Sequence, residues 1–168
     1  MEKDESQATL HLVCGKMASG KSTFANELAE KLHLIYLSED NLLASLYPGE
    51  ITDLPAYIEK SGKLKAGLKA VIVQLLRSGV SVVLDFPANT VKQRQWLVGL
   101  AIESDALHVL HFIDRPDDVC KIQLKKRAAE NPDRAATDTE EMFDAVTPYF
   151  VAPGVDENIN VKWVTQTD

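Results

Sequence analysis

Apolar residues along the chain follow two rhythms: short runs bounded by turn formers, and longer stretches where they return every three or four positions. The first run, Thr9 to Cys14, is a short apolar segment of the kind a parallel sheet buries on both faces. Leu34 to Leu37, Val80 to Leu84 and Leu107 to Ile113 repeat it, and Ile159, Val161 and Trp163 alternate with polar residues as a last strand. Between the runs lie helical stripes. Phe24, Leu28 and Leu32 recur beside Ala25 and Ala29, and Leu64, Leu68, Val71, Ile72 and Leu75 mark a helix from about Tyr57 to Arg77, closed by Ser78-Gly79. Trp96, Leu97, Leu100 and Ala101 follow Thr90-Val91-Lys92-Gln93, which has capping-box spacing. Cys120, Leu124 and Ala128 follow Pro116, and a short helix carries Met142, Phe143 and Val146.

Strands alternating with helices predict an α/β fold, a parallel sheet flanked on both faces. A chain of 168 residues fits one domain, read here as residues 9–168 behind a loose terminus at 1–8. Two stretches break the rhythm: the polar segment from Glu130 to Thr139, containing Pro132, reads as a flap, and Tyr149 to Asn158 reads as a loop.

Charge and composition narrow the partners. A net charge of -7 argues against a general binder of nucleic-acid backbone, which needs many Lys and Arg to neutralise phosphates. No apolar stretch reaches the roughly 18 residues that span a bilayer, and polar Met1 to Gln7 is unlike a secretory signal, so a cytoplasmic protein is expected. Cys14 and Cys120 then read as small core residues rather than a disulfide. The histidines His11, His33, His108 and His111 read as isolated, with His108 and His111 on opposite faces of one strand.

The chemistry concentrates directly after the first strand. Gly15-Lys16-Met17-Ala18-Ser19-Gly20-Lys21-Ser22 is a complete G-x-x-x-x-G-K-S phosphate loop, the Walker A motif, followed by Thr23 and a helix. Gly15 and Gly20 permit the tight turn that points successive N–H groups at phosphates, and the helix adds its positive end. Lys21 would place an ammonium on the β- and γ-phosphates, Ser22 would offer Mg²⁺ a hard oxygen, and Thr23 would lie nearer the α-phosphate.

In open parallel sheets ligands bind beyond the carboxyl ends of the strands, where Asp40, Asp85 and Asp114 also fall. Asp85 is placed to hold Mg²⁺ opposite Ser22, or else to cap its own loop. Asp40, preferred over Glu39, is placed to take the proton of an attacking hydroxyl, or else to cap the next helix. Lys125, Lys126 and Arg127 precede the flap and Arg134 lies in it. Such cations can stabilise a transferring phosphoryl group once a lid closes, or simply complement a helix dipole. Phe86, Asn89, Tyr47, Tyr57 and Tyr149 are candidate lining for an acceptor pocket.

The phosphate loop, Ser38-Glu39-Asp40, the stretch Leu84 to Thr90 and Asp114-Arg115-Pro116 together resemble the small P-loop kinases grouped with AAA-family ATPases. The chain is similar in these segments to the kinase domains of polynucleotide kinase, zeta toxin and chloramphenicol phosphotransferase. The resemblance implies a three-layer P-loop NTPase sandwich with a five-stranded parallel sheet ordered 2-3-1-4-5, a small lid, and ATP with Mg²⁺ at the first loop. It also carries the acceptor-side base onto Asp40 and the lid cations onto Arg127 and Arg134. The extra helical domain of a hexameric AAA motor is not expected within these 168 residues. The function expected is transfer of a γ-phosphoryl group to a hydroxyl of a small molecule. The alternatives are a nucleotide-dependent switch or slow ATPase, and a nucleic-acid 5'-hydroxyl or toxin-type nucleotide-sugar kinase.

Overall fold

The computed structural model describes residues 7–165. Five parallel strands, β1 (Thr9–Cys14), β2 (Ile35–Ser38), β3 (Val82–Asp85), β4 (Leu107–Ile113) and β5 (Val161–Val164), form one sheet in the order β2-β3-β1-β4-β5. Helices α1 (Lys21–Leu32), α2 (Glu39–Leu46), α3 (Leu54–Arg77), α4 (Val91–Ser104), α5 (Asp117–Glu130) and α6 (Glu140–Val146) connect and cover it. This is the P-loop NTPase sandwich, with the strand order expected.

Period-two alternation assigns the faces. Leu10, Leu12 and Cys14 of β1, Val82 and Leu84 of β3, and Leu110 and Phe112 of β4 are buried against α3 and α4. Val13 and Val83 point the other way, onto Ala25 and Ala29 of α1, whose small side chains let helix and sheet approach closely. Each fully buried Leu or Val contributes about 1.5–3 kcal/mol, so the central strands carry much of the stability.

Element ends differ from the hydrophobic pattern where helix caps consume residues. The third strand starts at Val82 rather than Val80, because Gly79 (φ +79°) ends α3 and the Val80 N–H still donates to the Leu75 carbonyl. Leu34 is likewise spent on the cap of α1 behind His33 (φ 53°), with its N–H on the Ala29 carbonyl. Helix α3 begins three residues before Tyr57, because Asp53 accepts from the Ala56 N–H and Pro55 suits the first turn. The capping box of Thr90 and Gln93 is present.

Of the loose terminus expected over residues 1–8, residues 1–6 lie outside the described residues. Ala8 is buried, and its carbonyl accepts from the Leu107 N–H at 2.9 Å. The histidines correct the reading of isolated residues. Parallel pairing of β1 with β4 sets Val13 opposite His111, which brings His11 Nδ1 within 3.1 Å of His111 Nε2. His111 is buried against Phe24, while His108 on the opposite face accepts from the Asn160 N–H. Both cysteines are buried and free. No helix among the described residues is long and apolar enough to cross a membrane.

Candidate active site

The loop after β1 is held in shape by steric and polar constraints that its sequence spells out. A Cβ on Gly15 would lie 2.6 Å from Ser19 Oγ and 2.7 Å from the Ile113 carbonyl oxygen, so only glycine fits. Gly20 adopts φ +93° and Ala18 φ 57°; the left-handed backbone costs Ala18 about 1–2 kcal/mol, tolerated because the fold over-determines it. Met17 and Ala18 pack on a small core of Cys120, Leu124 and Phe143, so α5 and α6 grip the outside of the loop. Lys16 Nζ lies 2.6 Å from Asp117 Oδ1, and Asn89 Oδ1 accepts from the Gly15 N–H at 3.3 Å. Ser19 Oγ is buried without a hydrogen-bond partner among the described residues.

Lys21, the first residue of α1, folds its ammonium back onto the loop, 2.7 Å from the carbonyl oxygens of both Gly15 and Lys16. Burial pulls its pKa down to about 8. The positive charge thus sits in the concavity of a glycine loop at a helix N-terminus, an arrangement built for polyphosphate.

Asp85 ends β3 beside Ser38 of β2 and accepts from the Tyr36 hydroxyl at 2.8 Å. Burial, then this hydrogen bond, pushes the Tyr36 phenol upward, so it remains a donor. Among the described residues no three His, Cys, Asp or Glu side chains converge to cage a metal ion. Ser22 and Asp85 are nevertheless hard oxygen donors of the type Mg²⁺ takes when phosphates and water complete its shell.

Ser38, not Asp40, caps α2 by accepting from the Asn41 N–H, and the Asp40 carboxylate has no side-chain hydrogen bond among the described residues. Asp40 is exposed and lines a cavity of about 410 Å³ together with Leu43, Ala44, Tyr47, Tyr57 and Thr137. Glu39 points inward, is 1% exposed, and its Oε1 accepts from the Tyr57 hydroxyl at 3.1 Å.

Arg127 and Arg134 share one counter-ion. Asp138, whose side chain is 1% exposed, pairs with Arg127 and Arg134. Lys125 and Lys126 instead pair with Glu140 and Glu130 at the surface. The segment between α5 and α6 is a 3-10 turn, Pro132–Arg134, followed by further turns, and it sets Thr137 over the cavity beside Asp40.

Of the proposed pocket lining, Tyr47 and Tyr57 are brought to Asp40, whereas three residues are not. Phe86 is 2% exposed in the main core, Asn89 buttresses the phosphate loop, and Tyr149 is 75% exposed. The unpredicted residue behind the site is Arg94, fully buried in α4. It donates to both carboxylate oxygens of Glu157 at 2.8 Å and to the carbonyls of Ala88 (2.9 Å) and Val151 (2.7 Å). Its signal was weak, because an arginine in the first turn of an amphipathic helix reads as solvent-facing.

Known proteins share the fold that carries these residues. Among curated proteins, none matches the chain in sequence. A crystal structure of a putative kinase from Chloroflexus aurantiacus superposes with a TM-score of 0.71 at 19% identity, covering 94% of this chain and 85% of that one. The APS kinase of Mycobacterium tuberculosis, solved with AMPPNP and APS, gives 0.63 at 17% identity, with 96% and 91% covered. A gluconokinase from Sinorhizobium meliloti gives 0.57 at 18%, with 96% and 85% covered. At these identities the likeness shows a shared fold. The family described as AAA domain matches residues 10–153, from β1 through the loop behind α6. The chain therefore belongs to the AAA domain family, as a P-loop protein of kinase-like fold whose first loop implies nucleotide binding.

Proposed function

We propose that the protein transfers the γ-phosphoryl group of ATP to a hydroxyl of a small molecule. The observation that carries this reading is the uncapped Asp40 carboxylate in an acceptor-sized cavity, roofed by the segment that bears Arg134. A switch or simple ATPase has no need of a separate cavity lined by an exposed carboxylate at the carboxyl end of the sheet.

ATP supplies the phosphoryl group as substrate, and Mg²⁺, fitting the hard oxygens of Ser22 and Asp85, supplies charge neutralisation on the phosphates. The amides of Gly15 to Ser22 and the Lys21 ammonium hold the polyphosphate, with Thr23 nearest the α-phosphate. Asp40 accepts the proton of the acceptor hydroxyl as its oxygen bonds to phosphorus and the bond to ADP breaks. Arg127 and Arg134 meet the charge that spreads over the transferring oxygens. Catalysis is positioning and electrostatics.

ADP release, followed with and without a panel of hydroxyl compounds, nucleotides and oligonucleotides, tests the reading. Acceptor-dependent release by the native protein, with nucleotide binding retained and transfer lost in Asp40→Asn, supports it. Turnover indifferent to every acceptor, or parental transfer by Asp40→Asn, overturns the phosphotransferase or the base respectively.

A further inference from the structure

We infer that the acceptor is a polyhydroxylated compound without negative charge, because the cavity beside Asp40 offers lone pairs at each polar group whose hydrogen-bond role is fixed. The inference rests on the phosphotransferase reading above and names the substrate class of the same site.

Three groups carry the argument. The Tyr57 hydroxyl donates to Glu39 Oε1 at 3.1 Å, and Glu39 is buried, so the phenolic hydrogen is committed and the oxygen can only accept from a ligand. Burial, followed by the Glu39 charge, pushes the Tyr57 phenol upward, so that hydrogen stays in place. Thr137 Oγ1 donates to the Arg134 carbonyl at 3.2 Å, which leaves its oxygen accepting as well. Asp40, on the same lining, accepts only. In this arrangement the three groups favour donors on the ligand, and hydroxyls or ammonium groups provide them.

An anionic acceptor finds no cationic side chain on the lining itself. Neither Lys nor Arg is among the described lining residues. The neighbouring Lys60 ammonium is spent over the Tyr47 ring, 4.8 Å from its centroid, and lies 3.4 Å from Glu50 Oε2. Arg127 and Arg134 are held on Asp138, and neither lines the cavity. A carboxylate, phosphate or sulfate on the acceptor would face Asp40 unpaired. The remaining lining, Leu43, Ala44, Ile51 and the Tyr47 ring, suits the apolar face of a small ring, and about 410 Å³ falls in the ~300–1,000 Å³ range of small-molecule sites.

The test compares matched congeners as acceptors for the full-length protein with ATP and Mg²⁺: neutral sugars or polyols, their amino forms, and their carboxylate and phosphate forms. The expected result is a kcat/KM at least tenfold higher for uncharged and amino members than for acidic ones. Tyr57→Phe should raise the acceptor KM severalfold with the ATP KM unchanged, and Thr137→Lys should narrow the gap by admitting acidic members. Equal or better use of acidic congeners, with phosphoryl transfer intact, overturns this inference alone. ATP consumption unaffected by any congener overturns the phosphotransferase reading and this inference with it.

Discussion

Asp138 accepts two parallel hydrogen bonds from Arg127, 2.5 Å from Nε and 2.8 Å from Nη2, and a third from Arg134 Nε at 3.1 Å. One buried carboxylate thus fixes the orientation of both guanidiniums. Asp138→Ala should lower kcat by about ten- to a hundredfold, the usual cost of small misplacement, with little change in ATP affinity, and Asp138→Glu should recover part of it. Steady-state kinetics of the two variants check this; an unchanged kcat in Asp138→Ala would show that the arginines need no such anchor.

Arg94 and Glu157 form a buried pair, with Arg94 fully enclosed and the Glu157 side chain 11% exposed. Removing one partner strands the other, so Arg94→Met or Glu157→Ala should cost about 3–5 kcal/mol in urea unfolding. The Arg94 hydrogen bond holds Glu157 below the usual carboxylate range. Its stabilisation is therefore complete above about pH 4.3 and lost as pH falls through the lowered value.

The His11–His111 contact places a second acid-sensitive site at the other end of β1. Burial, with the charges of His11 and Lys162 adding to it, pulls His111 down to about 4. Because the folded state favours the neutral ring, stability is full above about pH 6.5 and falls as pH drops towards 4, by on the order of 2–3 kcal/mol. Urea midpoints between pH 7 and 4.5 should show this loss, and His111→Leu should flatten it. A native protein equally stable at both pH values would contradict it.

Lys21 connects pH to the ligand instead. With its pKa drawn down to about 8 by burial, the ammonium is half discharged there in the nucleotide-free loop. Phosphate favours the charged form, so ATP binding at pH 8.5 should take up a proton, and affinity should fall up to about tenfold per unit as pH rises above 8. Calorimetry in buffers of different ionisation enthalpy measures the uptake directly. Lys21→Ala should abolish productive nucleotide use.

Much of the architecture was legible because burial writes itself into period: the apolar runs became β1 to β4, and Gly79 and Thr90 marked helix ends by local chemistry. The phosphate loop was equally plain, since Gly15 and Gly20 answer to local sterics and torsion. What escaped were partnerships set by tertiary distance. Arg94 meets a residue 63 positions away, and His11 meets one 100 positions away through strand register. Asp138 hid in a polar stretch whose composition resembles any solvated turn, and the Tyr57–Glu39 bond depends on how α3 crosses α2. Single positions told residue type; only packing told which groups answered one another.

The guanidinium of Arg94 also defines how far the folding unit extends. A fragment trimmed at the family boundary of residue 153 would discard Glu157 and β5, leaving a cation sealed in α4 and Phe112 stripped of Trp163. A fragment ending there would thus lose the edge strand and the partner of a sealed cation, whereas one carried past Val164 keeps both.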